Sequence, residues 1–142
     1  MAIGDRGRPI LRGLVVWSMI IAAESINGTI RELFLVPAIG QQRARWISFA
    51  LALGLITSIA LYLSGWLRAQ SAADYISVGL LWIVLTLAFE VGTIYLASHR
   101  PLDRLRLDYD PREGGLMLFG FVFLGTVPWI TSMIRQAHWR VR

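Results

Sequence analysis

Four long apolar runs, 10–30, 46–67, 75–97 and 114–134, dominate this chain of 142 residues. Each is about 20 residues or longer, and a helix of that length, rising about 1.5 Å per residue, crosses a hydrocarbon core of about 30 Å. A spanning segment must satisfy its own backbone hydrogen bonds, which leaves helices or a closed barrel. A barrel needs at least about eight alternating segments of about 10 residues. The runs here are continuous and number four. The expected fold is all-α: a polytopic membrane protein with four transmembrane helices as two hairpins, 10–67 and 75–134, in a single membrane domain over residues 1–142.

Composition agrees. The chain is 56% hydrophobic and 16% charged, whereas a soluble domain is about 45–50% apolar and about 25% charged. A chain this short cannot hide so much apolar surface in one soluble core. There is no cysteine, which excludes disulfides, thiolate metal sites and cysteine nucleophiles. All 14 basic residues are arginine. They stand at the ends of the apolar runs, where they reach headgroups. The net charge of +5 therefore gives no reason to expect nucleic acid as a partner.

The breaks between runs are distinct. Val36-Pro37-Ala38-Ile39-Gly40, followed by Gln41, Gln42, Arg43 and Arg45, ends the first helical region. Arg68-Ala69-Gln70-Ser71 with Asp74 makes a short turn, and His99-Arg100-Pro101 stops the third span. Residues 102–113 form a charged stretch with regularly placed leucines, suited to the membrane interface. Arg6, Arg8 and Arg12 before Leu14–Ala23 resemble the start of a signal peptide. Helix-compatible sequence continues past Ala23, so the reading is an uncleaved first span.

Four spans place both termini on one side, the terminal side, and the two longer connections on the other, the loop side. Seven arginines fall to the terminal side (6, 8, 12, 68, 135, 140 and 142) and seven to the loop side. The positive-inside rule is balanced. The cluster beside the first span favours cytoplasmic termini in a plasma (bacterial-type inner) membrane.

Spans one and three carry the informative violations, Glu24 and Glu90. They also share a pattern: Trp17, Glu24 and Gly28-Thr29-Ile30 in one, Trp82, Glu90 and Gly92-Thr93-Ile94 in the other. The two helices run in the same direction, as in a parallel internal repeat. The chance recurrence of common membrane residues is the alternative. By position, the two carboxylates sit at similar depth, displaced toward the loop side. Asn27 and Arg31 share the face of Glu24, and Thr86 and Thr93 share that of Glu90. An unpaired charge at such depth costs about 2.5 kcal/mol or more. Arg31 is expected to reach back toward Glu24, with Arg43, Arg45, Asp108 and Tyr109 as loop-side partners.

Two readings of this polar set follow. It is a network that locks the helices together, or it is a protonatable or cation-binding site open to the loop side. In span four, Gly125 and Pro128 mark a candidate hinge, with helix packing as the alternative. His99 and His138 lie near opposite surfaces, so they cannot bracket one haem, and no metal-ligand spacing occurs. No phosphate loop or nucleophile elbow is present. No cofactor and no metal are expected, and the chain leans away from enzymes.

The string Ala23-Glu24 … Gly28-Thr29, in the first of four helices, resembles the first helix of the small multidrug resistance exporters. In that family an intramembrane glutamate couples protons to cationic substrates in a dimer. The likeness implies such a role for Glu24 and is confined to this string. The glutamate-to-glycine gap is one residue longer here, and Glu90 and the charged stretch 102–113 have no counterpart.

The expected function is that of a small transporter-like protein, a homo-oligomer in the lipid bilayer, using Glu24 and Glu90 as proton or cation sites. A non-catalytic subunit or assembly factor of a larger membrane complex is the first rival. A lipid-binding protein using Arg31, Arg43 and Arg45 is the second.

Overall fold

The computed structural model describes residues 3–97, 99, 101–113 and 115–140, with backbone alone at 3–6, 101, 104, 105, 108, 113, 139 and 140. The described chain is helical and contains no strand. Helix α1 runs over Ile3–Ile30 and continues through a π-helical turn, Arg31–Leu35, into α2, Val36–Ile39. Then follow α3 (Gln41–Leu67), α4 (Ala72–Ala97), the short α5 (Pro101–Tyr109) and α6 (Met117–Arg140). Four helical stretches, Gly7–Ile39, Gln41–Leu67, Ala72–Ala97 and Met117–His138, are long and apolar enough to span a membrane. The protein is a four-helix integral membrane protein surrounded by lipid.

The first span is longer than the apolar pattern indicates, because the helix does not stop at Ile30. Pro37 explains the wide turn that carries it on. In an α register its ring would meet the carbonyl of Leu33, four residues back. Instead the Val36 N–H bonds the carbonyl of Arg31, a π-type spacing that makes room. The helix ends only at Gly40 (φ +85°, ψ 161°), and α3 begins at the next residue. That backbone conformation is essentially restricted to glycine. Gly40→Ala is expected to cost about 1–3 kcal/mol, read as a lower unfolding midpoint in detergent. An unchanged midpoint would mean that the turn relaxes elsewhere.

Helix packing gives the neighbour order α1, α3, α6, α4 around the bundle. The hairpins are α1 with α3 and α4 with α6, set side by side so that α1 meets α4 and α3 meets α6. The α3–α4 connection therefore bridges helices that are not principal neighbours. Arg68 closes α3 in a left-handed conformation (φ 53°). A capping box then starts α4: the Asp74 carboxylate accepts from the Gln70 and Ser71 N–H groups, and the Ser71 hydroxyl accepts from the Asp74 N–H.

The core lies toward the terminal side. Val16, Ile20, Ile56, Ala60, Leu67, Val78, Trp82, Leu124 and Val127 form one buried cluster. Several glycines lie at helix contacts. A Cβ added at Gly13, Gly65, Gly79 or Gly125 would press on a neighbouring helix, while Gly28 and Gly92 have nothing within 4 Å. The bundle packs around the buried cluster, and Ala44, Ser48, Asn27 and Ile94 are buried nearer the loops. Its outward faces carry large apolar side chains such as Leu51, Leu80, Val84 and Val122, as lipid contact requires.

Candidate functional site

Two tryptophans tie α1 to α4 below the glutamates. The Trp82 indole N–H donates to the Gly13 carbonyl at 2.8 Å, and the Trp17 indole N–H donates to Thr86 Oγ1 at 2.9 Å. Each bond joins residues 69 apart in the chain. At that register Glu90 sits about three residues lower than Glu24, about 4.5 Å at 1.5 Å per residue. The carboxylates are therefore within one turn of equal height. Both are half-buried.

The two glutamates differ in their surroundings. Glu90 has a partner. Glu24 Oε1 is buried and receives no hydrogen bond among the described residues. Glu24 Oε2 faces the Asn27 amide at 3.4 Å, which is long for a hydrogen bond.

Asn27 is occupied elsewhere. It is 8% exposed, donates to the Ser48 carbonyl at 3.0 Å and accepts from the Ser48 hydroxyl at 3.2 Å. This reciprocal pair fastens α1 to α3. It satisfies the side-chain oxygen of Asn27 and leaves only a weak contact for Glu24. Ser48 is the residue that the sequence reading missed. The available signal was a small polar residue near the start of span two, on the loop side like Asn27.

Arg31, expected at Glu24, is placed elsewhere and does not reach back to that carboxylate. It pairs with Glu32, its neighbour in the chain, at 3.1 Å. Such a half-exposed pair contributes little to stability. Arg43 is exposed, and Arg45 is half-buried and engaged. The ring of Tyr109 lies 5.8 Å from that of Phe121, docking α5 on α6. The Asp108 side chain lies outside the described ones.

On α4, Thr86 receives the Trp17 indole, while Thr93 is exposed and donates to the Phe89 carbonyl at 2.8 Å. Gly125 lies within the α4–α6 contact, and Pro128 is fully buried in a continuous α6. No group of acidic and histidine side chains among the described residues has the geometry to hold a metal ion.

No known protein family, curated protein or solved structure matches this chain. The short resemblance around Glu24 thus remains one of a few residues, and the chemistry of the site rests on its own geometry.

Proposed function

We propose that this protein is a small transporter-like membrane protein in which Glu24 is a protonatable or cation-binding carboxylate. The observation that carries the reading is the buried Glu24 Oε1 with no donor among the described residues, inside a spanning helix. A carboxyl kept only for structure would be expected to use both oxygens, since an unmet buried polar atom is costly. An acceptor left open suits a group that takes up a proton or a cation.

The bundle centre is filled by Trp82, Val16, Val78 and Val127. A route for substrate therefore lies at the bundle's surface, where a second copy would complete it. That supports a homo-oligomer in preference to a lone bundle. Glu90 is the secondary site, since it has a partner already.

The competing reading is a polar lock with no transport role, and the Asn27–Ser48 pair favours it. The two readings separate by residue. Asn27→Ala should lower the unfolding midpoint in detergent by a few degrees, since a polar contact between membrane helices is worth about 1 kcal/mol. Glu24→Gln should leave the midpoint within a degree or so, because the amide keeps the shape and loses only a weak contact.

The test is collapse of a preformed pH gradient in proteoliposomes on adding sodium, potassium or tetraphenylphosphonium. Wild type should collapse it with at least one of these cations. Glu24→Gln should slow that rate by about tenfold or more, with Glu24→Gln/Glu90→Gln as the full knockout. Equal rates in wild type and the double variant would end the transport reading.

A further inference from the structure

We propose that the terminal-side ends of α3 and α6 form a binding site for one anionic phospholipid. Its phosphate would sit on Arg68 and Arg135, with an acyl chain along the α3–α6 groove. This inference is independent of Glu24, which lies toward the opposite side of the bundle.

The polar half of the site is a cavity of about 220 Å³ lined by Arg68, Arg135, Ser64, Ser132, Tyr75 and Gln136. Among the described residues neither guanidinium is ion-paired. Two arginines with no ion partner among the described residues, beside the Gln136 amide, match a phosphate group in charge and in hydrogen-bonding sense, while the Ser64, Ser132 and Tyr75 hydroxyls donate to backbone carbonyls. The carboxyl-terminal dipole of α3 opposes an anion here, and Arg68, placed on that end, reverses the local sign.

The more apolar half is a groove of about 390 Å³ that shares Ser64, Gly65 and Arg135 with the cavity and continues along Leu61, Tyr62, Ile134 and His138. A soluble anion has no use for this continuation, whereas a lipid does. The depth is also right, since α3 ends at Leu67 and Trp66 is exposed beside it, an aromatic residue at headgroup level.

Gly65 is the residue that builds the junction. A Cβ there would lie 2.6 Å from Arg135 Nη1. Only glycine lets the Arg135 guanidinium lie across α3 and face the cavity. The basic pair is thus positioned by the backbone of the adjacent helix. Basic pockets between membrane helices at headgroup depth are suited to anionic lipids.

The experiment is native mass spectrometry of the full chain in mild detergent. Phosphatidylglycerol or phosphatidylcholine of identical acyl chains is added, with and without millimolar inorganic phosphate. Wild type should retain phosphatidylglycerol over phosphatidylcholine by about tenfold or more, given two arginines near the headgroup. Arg68→Gln/Arg135→Gln should bring the two lipids level. Gly65→Leu, which keeps every charge and displaces Arg135, should do the same. Arg106→Gln/Arg112→Gln, an equal loss of charge on the loop side, should leave the preference unchanged.

Equal retention of the two lipids by wild type overturns the proposal. So does displacement of phosphatidylglycerol by inorganic phosphate, which would mark a free-anion site. Undiminished preference in folded Gly65→Leu protein overturns it as well. Should the double arginine variant fail to fold, the wild-type selectivity and Gly65→Leu decide the matter.

Discussion

Trp82→Ala is expected to cost about 3 kcal/mol of stability, enough to unfold much of the protein in a mildly denaturing detergent. Trp82 is 1% exposed and lies in the main buried cluster. Truncating a buried tryptophan in a soluble protein costs about 3–5 kcal/mol. The lower end applies here because lipid or detergent is itself apolar, which removes most of the transfer contribution. What remains is the lost packing of the ring and the cavity it leaves.

A second loss adds to it, since the indole N–H donates to the Gly13 carbonyl at 2.8 Å. Trp82→Phe isolates that bond: it keeps most of the ring packing and should cost about 1 kcal/mol. The measurement is helicity by circular dichroism during titration with a denaturing detergent. A midpoint for Trp82→Ala no lower than for Trp82→Phe would show that the ring is not a packing centre.

The four helices were legible because burial in a bilayer writes itself as continuous apolar length. Helix ends were less legible. Pro37 reads as a stop in a sequence, yet the chain passes it by widening one turn, and only Gly40 turns the chain back. The order of helices around the bundle was not legible at all. Outward residues contact lipid and inward ones contact protein, and both are apolar, so hydrophobicity carries no directional signal.

Polar and small residues carry what information there is. Gly13, Gly79 and Gly125 lie at helix contacts, while a Cβ added at Gly28 or Gly92, the glycines of the expected repeat, would meet nothing within 4 Å.

Within the candidate site, the glutamates were conspicuous because charge is costly in lipid. Arg31, the expected partner of Glu24, lies elsewhere for a geometric reason. It has the reach to approach Glu24, but it stands where the helix widens into a π turn and pairs with Glu32 instead. Asn27 shares a face with Glu24 in the sequence pattern, and it does contact that residue. Its stronger bonds, however, run to another helix. A helical wheel shows which residues share a face and not which helix that face meets. Trp17 and Trp82 illustrate the same gap. Each stands in the sequence only as a member of the pattern shared by spans one and three, and each crosses from one helix to the other.

Glycine substitutions at the α4–α6 crossing should show a pronounced asymmetry. A Cβ at Gly79 would overlap the carbonyl oxygen of Gly125 and come within 3.1 Å of its carbonyl carbon. Both atoms are backbone, so no rotamer change relieves the clash, and the two helices must separate. Gly79→Ala is therefore expected to cost about 3 kcal/mol, the upper end for a small overpacking change. At Gly125 the nearest obstacle to a Cβ is the Ile83 Cδ1 at 2.5 Å. That atom is the end of a flexible side chain and can turn away, so Gly125→Ala should cost about 1 kcal/mol.

Gly54→Ala supplies the reference. It sits in α3 with nothing within 4 Å, and removing a helical glycine there should be neutral or stabilising by up to about 1 kcal/mol. Denaturing-detergent midpoints should thus rank Gly79→Ala lowest, Gly125→Ala next, and Gly54→Ala at or above wild type. A reversal of the first two would mean that α4 and α6 do not meet backbone to backbone at Gly79, and the neighbour order of the bundle would have to be redrawn.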